Sequence, residues 1–178
     1  MNMVLRAATI LLAAMASLSC RAPSPQVAHE EALRLNASFA RHRTAYLEAI
    51  ELENRLVPET LEWLNAAPAT QVRFRACRLM DRWARAYFGP RVIHGDMRFE
   101  EYKSVRVRQV HSHILDHLRQ RYFILHDYQR YAQAACEADS RPATRVLIQQ
   151  RLQEFRGRLQ AHPRALDEIS GLLAALEN

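Results

Sequence analysis

Histidine is a residue type that readily binds metal ions, and three histidines stand close together past the middle of the chain. His113 and His117 are four residues apart, and His111 lies just before them. Four residues is about one helical turn, so both imidazole rings could reach one metal ion. A metal site needs a third and usually a fourth ligand, for which His42 and His94 are the obvious further histidines. We therefore expect a structural or surface role for His111, His113 and His117, with a metal site on them as the alternative.

The sequence contains none of the short motifs that identify common catalytic or cofactor sites. It has no glycine-rich phosphate loop, no Gly-x-Ser-x-Gly elbow and no His-Glu-x-x-His metalloprotease motif. It also lacks the Cys-x-x-Cys-His motif of covalent haem attachment, and no glutamate precedes a histidine by three residues as in di-iron bundles. We therefore predict a noncatalytic protein without a cofactor, and we assign no catalytic residue.

A second candidate site is a row of arginines spaced three or four residues apart: Arg75, Arg78, Arg82 and Arg85. This spacing places their side chains on one face of a helix, where they could contact phosphate or carboxylate groups of a ligand or partner. Asp81 stands beside them and could neutralise part of their charge, and a charged helix face is often simply solvated. We call these four residues the arginine stripe and keep them as a candidate contact for an anion or a partner.

The overall charge is basic, with a formal net charge of +6 and an isoelectric point near 9.7. Lys103 is the only lysine among the 25 basic residues. Such heavy use of arginine is typical of a GC-rich genome and need not indicate many anion contacts. A basic protein nevertheless favours anionic surfaces such as phospholipid head groups. We expect a partner protein or an anionic surface, and no nucleic acid.

The amino-terminal segment has the pattern of an export signal. Arg6 is followed by the apolar run 7–16 and then by Ser17-Leu18-Ser19-Cys20. A cationic end, an apolar stretch of about 7 to 15 residues and small residues near a cleavage site are what export and cleavage require. The segment resembles the signal peptide of bacterial lipoproteins, in which a cysteine receives diacylglycerol and becomes the first residue of the mature protein.

This resemblance implies that residues 1–19 are removed and that Cys20 carries a lipid that anchors the protein to a membrane. The protein would then lie in the cell envelope, facing the periplasm or the exterior. Residues 20–26 would form a tether, because the two prolines in Arg21-Ala22-Pro23-Ser24-Pro25 oppose helix formation. The first alternative is cleavage after Ala16, which would give a soluble secreted or periplasmic protein. A single membrane-spanning anchor is the second, although the run is well short of the roughly 20 apolar residues that a span requires.

The remaining chain reads as a single all-α domain over residues 27–178. Apolar residues recur at helical spacing, and glycine and proline are few. The first predicted helix covers 26–56, and a short piece over 59–66 follows Pro58. A second helix over 69–88 is ended by Gly89-Pro90, and a very long third helix over 97–138 has Asp96 as its cap. A fourth helix begins at Pro142, and a last short helix follows His162-Pro163. We predict an antiparallel bundle of four main helices with one or two short accessory helices.

The third predicted helix carries a buried stripe: Val107, Val110, Ile114, Leu118, Leu125 and Tyr128. It also carries aromatic residues on several sides: Tyr122, Phe123, Tyr128 and Tyr131. A helix that is apolar most of the way round either lies at the centre of its bundle or meets a partner.

Cys77 and Cys136 are the cysteines that follow Cys20, and an exported protein could join them in a disulfide. If the turn between the second and third helices lies near residues 89–96, Cys136 is about 42 Å farther along its helix than the level of Cys77. A disulfide requires Cα atoms about 4.4–6.8 Å apart. We therefore predict two unpaired, buried thiols.

Together these features predict a noncatalytic, lipid-anchored helical protein of the cell envelope that acts as an adaptor or an assembly module. Its contacts would be the third helix and the arginine stripe. The alternative is a periplasmic metal-binding protein or metal-dependent enzyme that uses His113 and His117. A protein that binds a hydrophobic ligand between its helices is a further possibility.

Overall fold

The computed structural model describes residues 23–66, 72–138 and 142–177, and these residues form helices and no strand. The predicted all-α class is therefore confirmed. The six helices of this part of the chain are α1 (Pro25–Ala40), α2 (Arg43–Ala66), α3 (Val72–Met97), α4 (Val105–Cys136), α5 (Pro142–Gln160) and α6 (Glu168–Ala174). The predicted signal peptide over 1–19 and the lipidation site Cys20 lie outside the described residues, as does the start of the tether. The last two residues of the predicted tether, Pro25 and Gln26, belong to α1, because proline is tolerated in the first turn of a helix.

The structure has two helices where the sequence predicts one over 26–56. The first ends at Ala40, and the second begins at Arg43 and continues through Pro58, where a stop is predicted. Pro58 is exposed on α2, and as a proline inside a helix it removes one backbone hydrogen bond. Leu56 and Thr60 are fully buried on the other face and keep the helix packed on both sides of the proline. Tertiary packing therefore outweighs the local signal for a helix end.

The predicted stop at Gly89-Pro90 is also wrong, because α3 continues to Met97. A Cβ atom on Gly89 would lie only 2.9 Å from Cβ of Ala49 on α2, so the glycine allows two helices to pack closely. The third predicted helix corresponds to α4, which begins later than predicted, at Val105. Its cap is Ser104 in place of the predicted Asp96, and the Ser104 hydroxyl accepts a hydrogen bond from the backbone N–H of Val107. The turn between the two helices is consequently displaced along the chain.

The helices α3 and α4 lie antiparallel as a hairpin in which Trp83 packs against Tyr128, with ring centroids 5.1 Å apart. One disulfide joins Cys77 of α3 to Cys136 of α4, with Cα atoms 4.7 Å apart. The prediction of two unpaired thiols is therefore wrong. Its cause is the predicted register of the hairpin: in the structure Met97 lies beside His111 and Trp83 lies beside Tyr128, and this register brings the two cysteines to the same level.

The buried residues form two clusters along the hairpin. The cluster near the turn joins α1 and α6 to the start of α4 through residues such as Leu35, Ile114 and Ile169. The cluster near the disulfide joins α2, α3 and α5 through residues such as Trp83 and Phe155. Between residues 23 and 177, apart from the two undescribed gaps, no helix is both long and apolar enough to cross a membrane.

Candidate functional site

Four aromatic side chains form a continuous surface on one side of the α3–α4 hairpin. Tyr87 and Phe88 come from α3, and their ring centroids are 5.4 Å apart. Tyr122 and Phe123 come from α4, with centroids 4.7 Å apart, and Tyr122 meets Tyr87 edge-on at 6.3 Å. Phe88 is 52% exposed and Phe123 is 51% exposed. We call these four residues the aromatic face.

Two arginines lie over the rings of the aromatic face. The guanidinium carbon of Arg91 is 5.4 Å from the ring centroid of Tyr87 and 5.9 Å from that of Phe88. The guanidinium carbon of Arg119 is 5.7 Å from the ring centroid of Phe123. Such cation–π contacts hold the rings and the cations in a defined arrangement at the surface. The face therefore offers apolar area and positive charge together.

Two histidines extend the aromatic face along the hairpin. The ring of His94 meets Tyr122 edge-on, with centroids 5.5 Å apart, and the ring of His126 lies 5.2 Å from Tyr87. Partial burial lowers the pKa of His94, and the charges of Arg98 and Arg119 lower it further. His94 is therefore mainly neutral near pH 7 and continues the ring surface without adding charge.

The sequence pointed to part of this surface and missed the rest. Tyr122 and Phe123 lie on it, whereas Tyr128 is buried against Trp83, and Tyr131 stacks on Phe155 with centroids 5.1 Å apart. The contribution of α3 was not foreseen. A usable signal existed, because adjacent aromatic residues on a helix point about 100° apart and Tyr87 and Phe88 cannot both face the core.

The arginine stripe lies on α3, nearer to the disulfide than the aromatic face does. A surface groove of about 290 Å³ is lined by Arg75, Arg78, Arg82, Glu59, Glu62, Trp63 and Leu79. Three of the four stripe arginines thus come together, and Arg85 is not part of the lining. Arg82 is paired with Glu59 of α2, so one positive charge is already balanced within the fold.

The three candidate metal ligands are not brought together. His111 is buried, and its Nε2 lies 3.1 Å from the backbone oxygen of Met97. His113 is exposed on another side of α4. Both ring nitrogens of His117 have partners, because Nε2 lies 3.0 Å from the Tyr46 hydroxyl and Nδ1 lies 2.9 Å from Oε2 of Glu168. Among the residues that the structure describes, no group of three or more His, Cys, Asp or Glu could hold a metal ion.

No protein-family model matches this chain, and no curated protein or solved structure matches it. Any functional assignment therefore depends on the chain's own residues.

A buried carboxylate forms a polar centre inside the fold. Glu53 of α2 is 2% exposed, and its Oε1 lies 2.6 Å from Nε2 of His162. The guanidinium of Arg121 on α4 forms an ion pair with the same oxygen. Nδ1 of His162 lies 3.0 Å from the hydroxyl of Tyr128. This centre ties α2 to α4 and to the segment between α5 and α6.

The ionisation of this centre follows from its partners. Burial alone would raise the pKa of Glu53, but hydrogen bonds from His162 and Arg121 and their charges outweigh it and lower the pKa. Burial raises the pKa of Tyr128 to about 12, and the nearby charge of Glu53 adds to the rise. At neutral pH Glu53 is thus a fixed negative charge and Tyr128 a neutral hydroxyl. Because Glu53 is enclosed and has partners, the centre acts as a structural tie.

Proposed function

We propose that this protein is a noncatalytic, lipid-anchored helical protein of the cell envelope, acting as an adaptor or an assembly module. In this proposal the aromatic face binds a partner protein. The observation that carries it is the set of exposed aromatic rings and arginines shared by α3 and α4. We further interpret α2, α3, α4 and α5 as an antiparallel bundle of four main helices, with α4 as its long central member and α1 and α6 as accessory helices.

The composition of the aromatic face supports a protein partner. Tyrosine, phenylalanine and arginine are enriched in the cores of protein interfaces, and a few such residues usually supply most of the binding free energy. Phe88, Val92 and Phe123 expose about half of their surface, although burial would stabilise such side chains. Arg91 and Arg119 make the face positive. A partner with apolar side chains bordered by carboxylates fits this surface best.

The disulfide supports the proposed location. Disulfides form and persist mainly in oxidising compartments such as the periplasm or the exterior, whereas cytosolic thiols are usually kept reduced. The bond between Cys77 and Cys136 also ties together the ends of α3 and α4 opposite the turn. It therefore favours a rigid hairpin, which lowers the entropy cost of binding a partner.

The arginine stripe is retained as a second contact within this proposal. Arg75 and Arg78 are exposed on the groove, while Arg82 is engaged by Glu59. A carboxylate or phosphate group of the partner would therefore bind mainly to Arg75 and Arg78. The metal-based alternative with His113 and His117 gains no supporting contact.

The partner can be identified by photo-crosslinking from the aromatic face in living cells. A photoreactive amino acid replaces Tyr122 in the full chain, and the crosslinked protein is identified, purified and titrated against the purified wild type. Phe88→Asp combined with Phe123→Asp should weaken this binding by about thirtyfold or more, as expected for central interface residues. The control is Val146→Asp combined with Leu147→Asp, which changes two similarly exposed residues on α5 and should leave the Kd within about twofold. Equal weakening by both pairs would refute the aromatic face as the contact.

The lipid anchor is tested separately by labelling cells with radioactive palmitate. The wild-type protein should incorporate the label, and Cys20→Ala should abolish it. A labelled Cys20→Ala protein would exclude Cys20 as the attachment site, and an unlabelled wild type would favour the soluble alternative.

A further inference from the structure

We propose that the turn of the α3–α4 hairpin contacts the head-group region of an anionic lipid bilayer and holds the domain upright on the membrane. This inference rests on the proposed lipid anchor at Cys20. We define residues 98–108 as the hairpin tip. The tip is separate from the aromatic face and from the arginine stripe.

The hairpin tip presents apolar side chains to solvent. Phe99 is 74% exposed, more than any other large apolar side chain of the described residues, and Val105 is 56% exposed. The guanidinium carbon of Arg98 lies 4.4 Å from the ring centroid of Phe99. Leu33 on neighbouring α1 is exposed as well. An aromatic ring beside a cation is the combination that sits favourably at a membrane interface.

The charge of the hairpin tip suits anionic lipid. Its exposed basic residues are Arg98, Lys103, Arg106 and Arg108. Glu100 is only partly exposed and is engaged by Ser38, Tyr102 and Arg41. Glu101 is the one exposed carboxylate of the tip. Basic residues close to an anionic bilayer each strengthen binding by roughly fivefold.

The hairpin tip is also close to the proposed lipid attachment point. The carboxylate of Glu31 on α1 accepts hydrogen bonds from the backbone N–H groups of Lys103 and Ser104, at 2.8 and 2.7 Å. Glu31 is six residues from Pro25, or about 9 Å along the helix. The five residues from Cys20 to Pro25 can span at most about 18 Å.

A lipid on Cys20 therefore lies within about 27 Å of the contact between α1 and the hairpin tip. The disulfide end of α4 is about 46 Å from the tip along the helix. The short tether thus holds the tip near the membrane surface. Three features of the hairpin tip favour a bilayer over a protein as its partner: its closeness to the lipid on Cys20, the exposed ring of Phe99 and its positive charge.

The contact can be tested by quenching tryptophan fluorescence with brominated lipids. The full-length lipidated protein is reconstituted into anionic phosphatidylglycerol vesicles with brominated acyl chains. Phe99→Trp places a reporter on the tip, and Leu147→Trp places one on an exposed site of α5. The native Trp63 and Trp83 are buried in the protein and contribute a shared background. Brominated lipid should reduce the reporter fluorescence of Phe99→Trp about twofold, because interfacial side chains reach the acyl boundary, and should leave that of Leu147→Trp unchanged.

The role of charge is tested in the Phe99→Trp protein. Lys103→Glu combined with Arg108→Glu should remove most of the quenching. Arg130→Glu combined with Arg151→Glu changes the net charge equally at exposed positions outside the tip and should preserve it. Equal loss with both pairs would show that only overall charge matters and would overturn the proposed tip contact.

The outcomes separate this inference from the lipid anchor. If palmitate labels Cys20 but brominated lipid does not quench Phe99→Trp, the lipid anchor stands and the tip contact with the bilayer is refuted. A tip that binds a protein instead would give this same result. If Cys20 carries no label, the secreted Phe99→Trp protein is added to preformed brominated anionic vesicles. Quenching that depends on Lys103 and Arg108 then supports the tip contact, and its absence refutes both proposals.

Discussion

Glu53 and His162 form a buried pair, with Oε1 of the carboxylate 2.6 Å from Nε2 of the imidazole. They are 109 residues apart in the chain, so the pair fixes α2 against the segment that precedes α6. Arg121 pairs with the same carboxylate from α4. Three parts of the fold therefore meet at one fixed negative charge.

Replacing this carboxylate should strongly destabilise the fold. Glu53→Gln leaves the Arg121 guanidinium without its counter-charge, and loss of one member of a buried ion pair lowers the free energy of unfolding by about 3–5 kcal/mol. Urea unfolding followed by circular dichroism measures the change. Glu51→Gln on the exposed face of α2 is the matched control and should change stability by less than about 0.5 kcal/mol. Equal effects of the two substitutions would contradict a structural role for Glu53.

Stability should fall as the pH drops below the ordinary pKa of histidine. Burial lowers the pKa of His117 below 6.5, although the carboxylate of Glu168 opposes the shift. The unfolded chain therefore binds the proton more readily, and stability declines from about pH 6.5 through the lower pKa of the folded state. Urea midpoints between pH 7.5 and about 5 should show this decline. His117→Gln should make it smaller, and the remainder should come from His94, whose pKa is lowered as well. His29→Gln changes an exposed histidine of α1 and is the control for a histidine substitution as such.

A second loss of stability should follow below pH 4.5. Burial opposes ionisation of Glu31 and Glu53, but their hydrogen bonds and neighbouring charges lower the pKa of each below 4.5. Their contribution is present above the pKa of the unfolded chain and disappears as the pH falls through the lower values of the folded state. In Glu53→Gln this acid stage should shrink while the histidine stage persists. An unchanged acid stage would exclude Glu53 as its source.

Reduction of the disulfide should destabilise the protein without changing its helical class. A bond that closes a loop between Cys77 and Cys136 restricts the unfolded chain, and its loss should cost about 2–4 kcal/mol. Cys77→Ser combined with Cys136→Ser should match the reduced wild type in urea unfolding. Nonreducing peptide mapping should recover the two cysteines in one linked fragment, and free thiols at both positions would contradict the fold.

The sequence predicted most of the buried stripe of α4, although Val110 is only partly buried, but it did not predict where the hairpin turns. Val107, Ile114, Leu118, Leu125 and Tyr128 were expected to be buried and are buried. Helical periodicity identifies such a stripe because it depends only on spacing along one helix. The turn depends instead on packing between helices, which local glycine and proline signals do not report.

The candidate surface was only partly predictable for the same reason. Tyr122 and Phe123 could be identified as excess apolar residues on α4, but their pairing with Tyr87 and Phe88 depends on the register of the hairpin. His117 could be placed on a helix, but its partners Tyr46 and Glu168 come from distant parts of the chain. Long-range contacts of this kind require the fold itself.

Two glycines of α3 should respond in opposite directions to alanine. Gly89→Ala places a methyl group 2.9 Å from Cβ of Ala49, which is fixed to the backbone of α2 and cannot rotate away. This overpacking should lower the free energy of unfolding by about 1–3 kcal/mol. Gly95→Ala adds a methyl group with no atom within 4 Å beyond its chain neighbours and the backbone of its own helix, and should raise the free energy of unfolding by about 0.5–1 kcal/mol through helix propensity. Urea unfolding of both variants measures these changes, and Gly95→Ala tests the continuous helix, because a helix that ended at Gly89 would leave residue 95 outside it and gain little from alanine there.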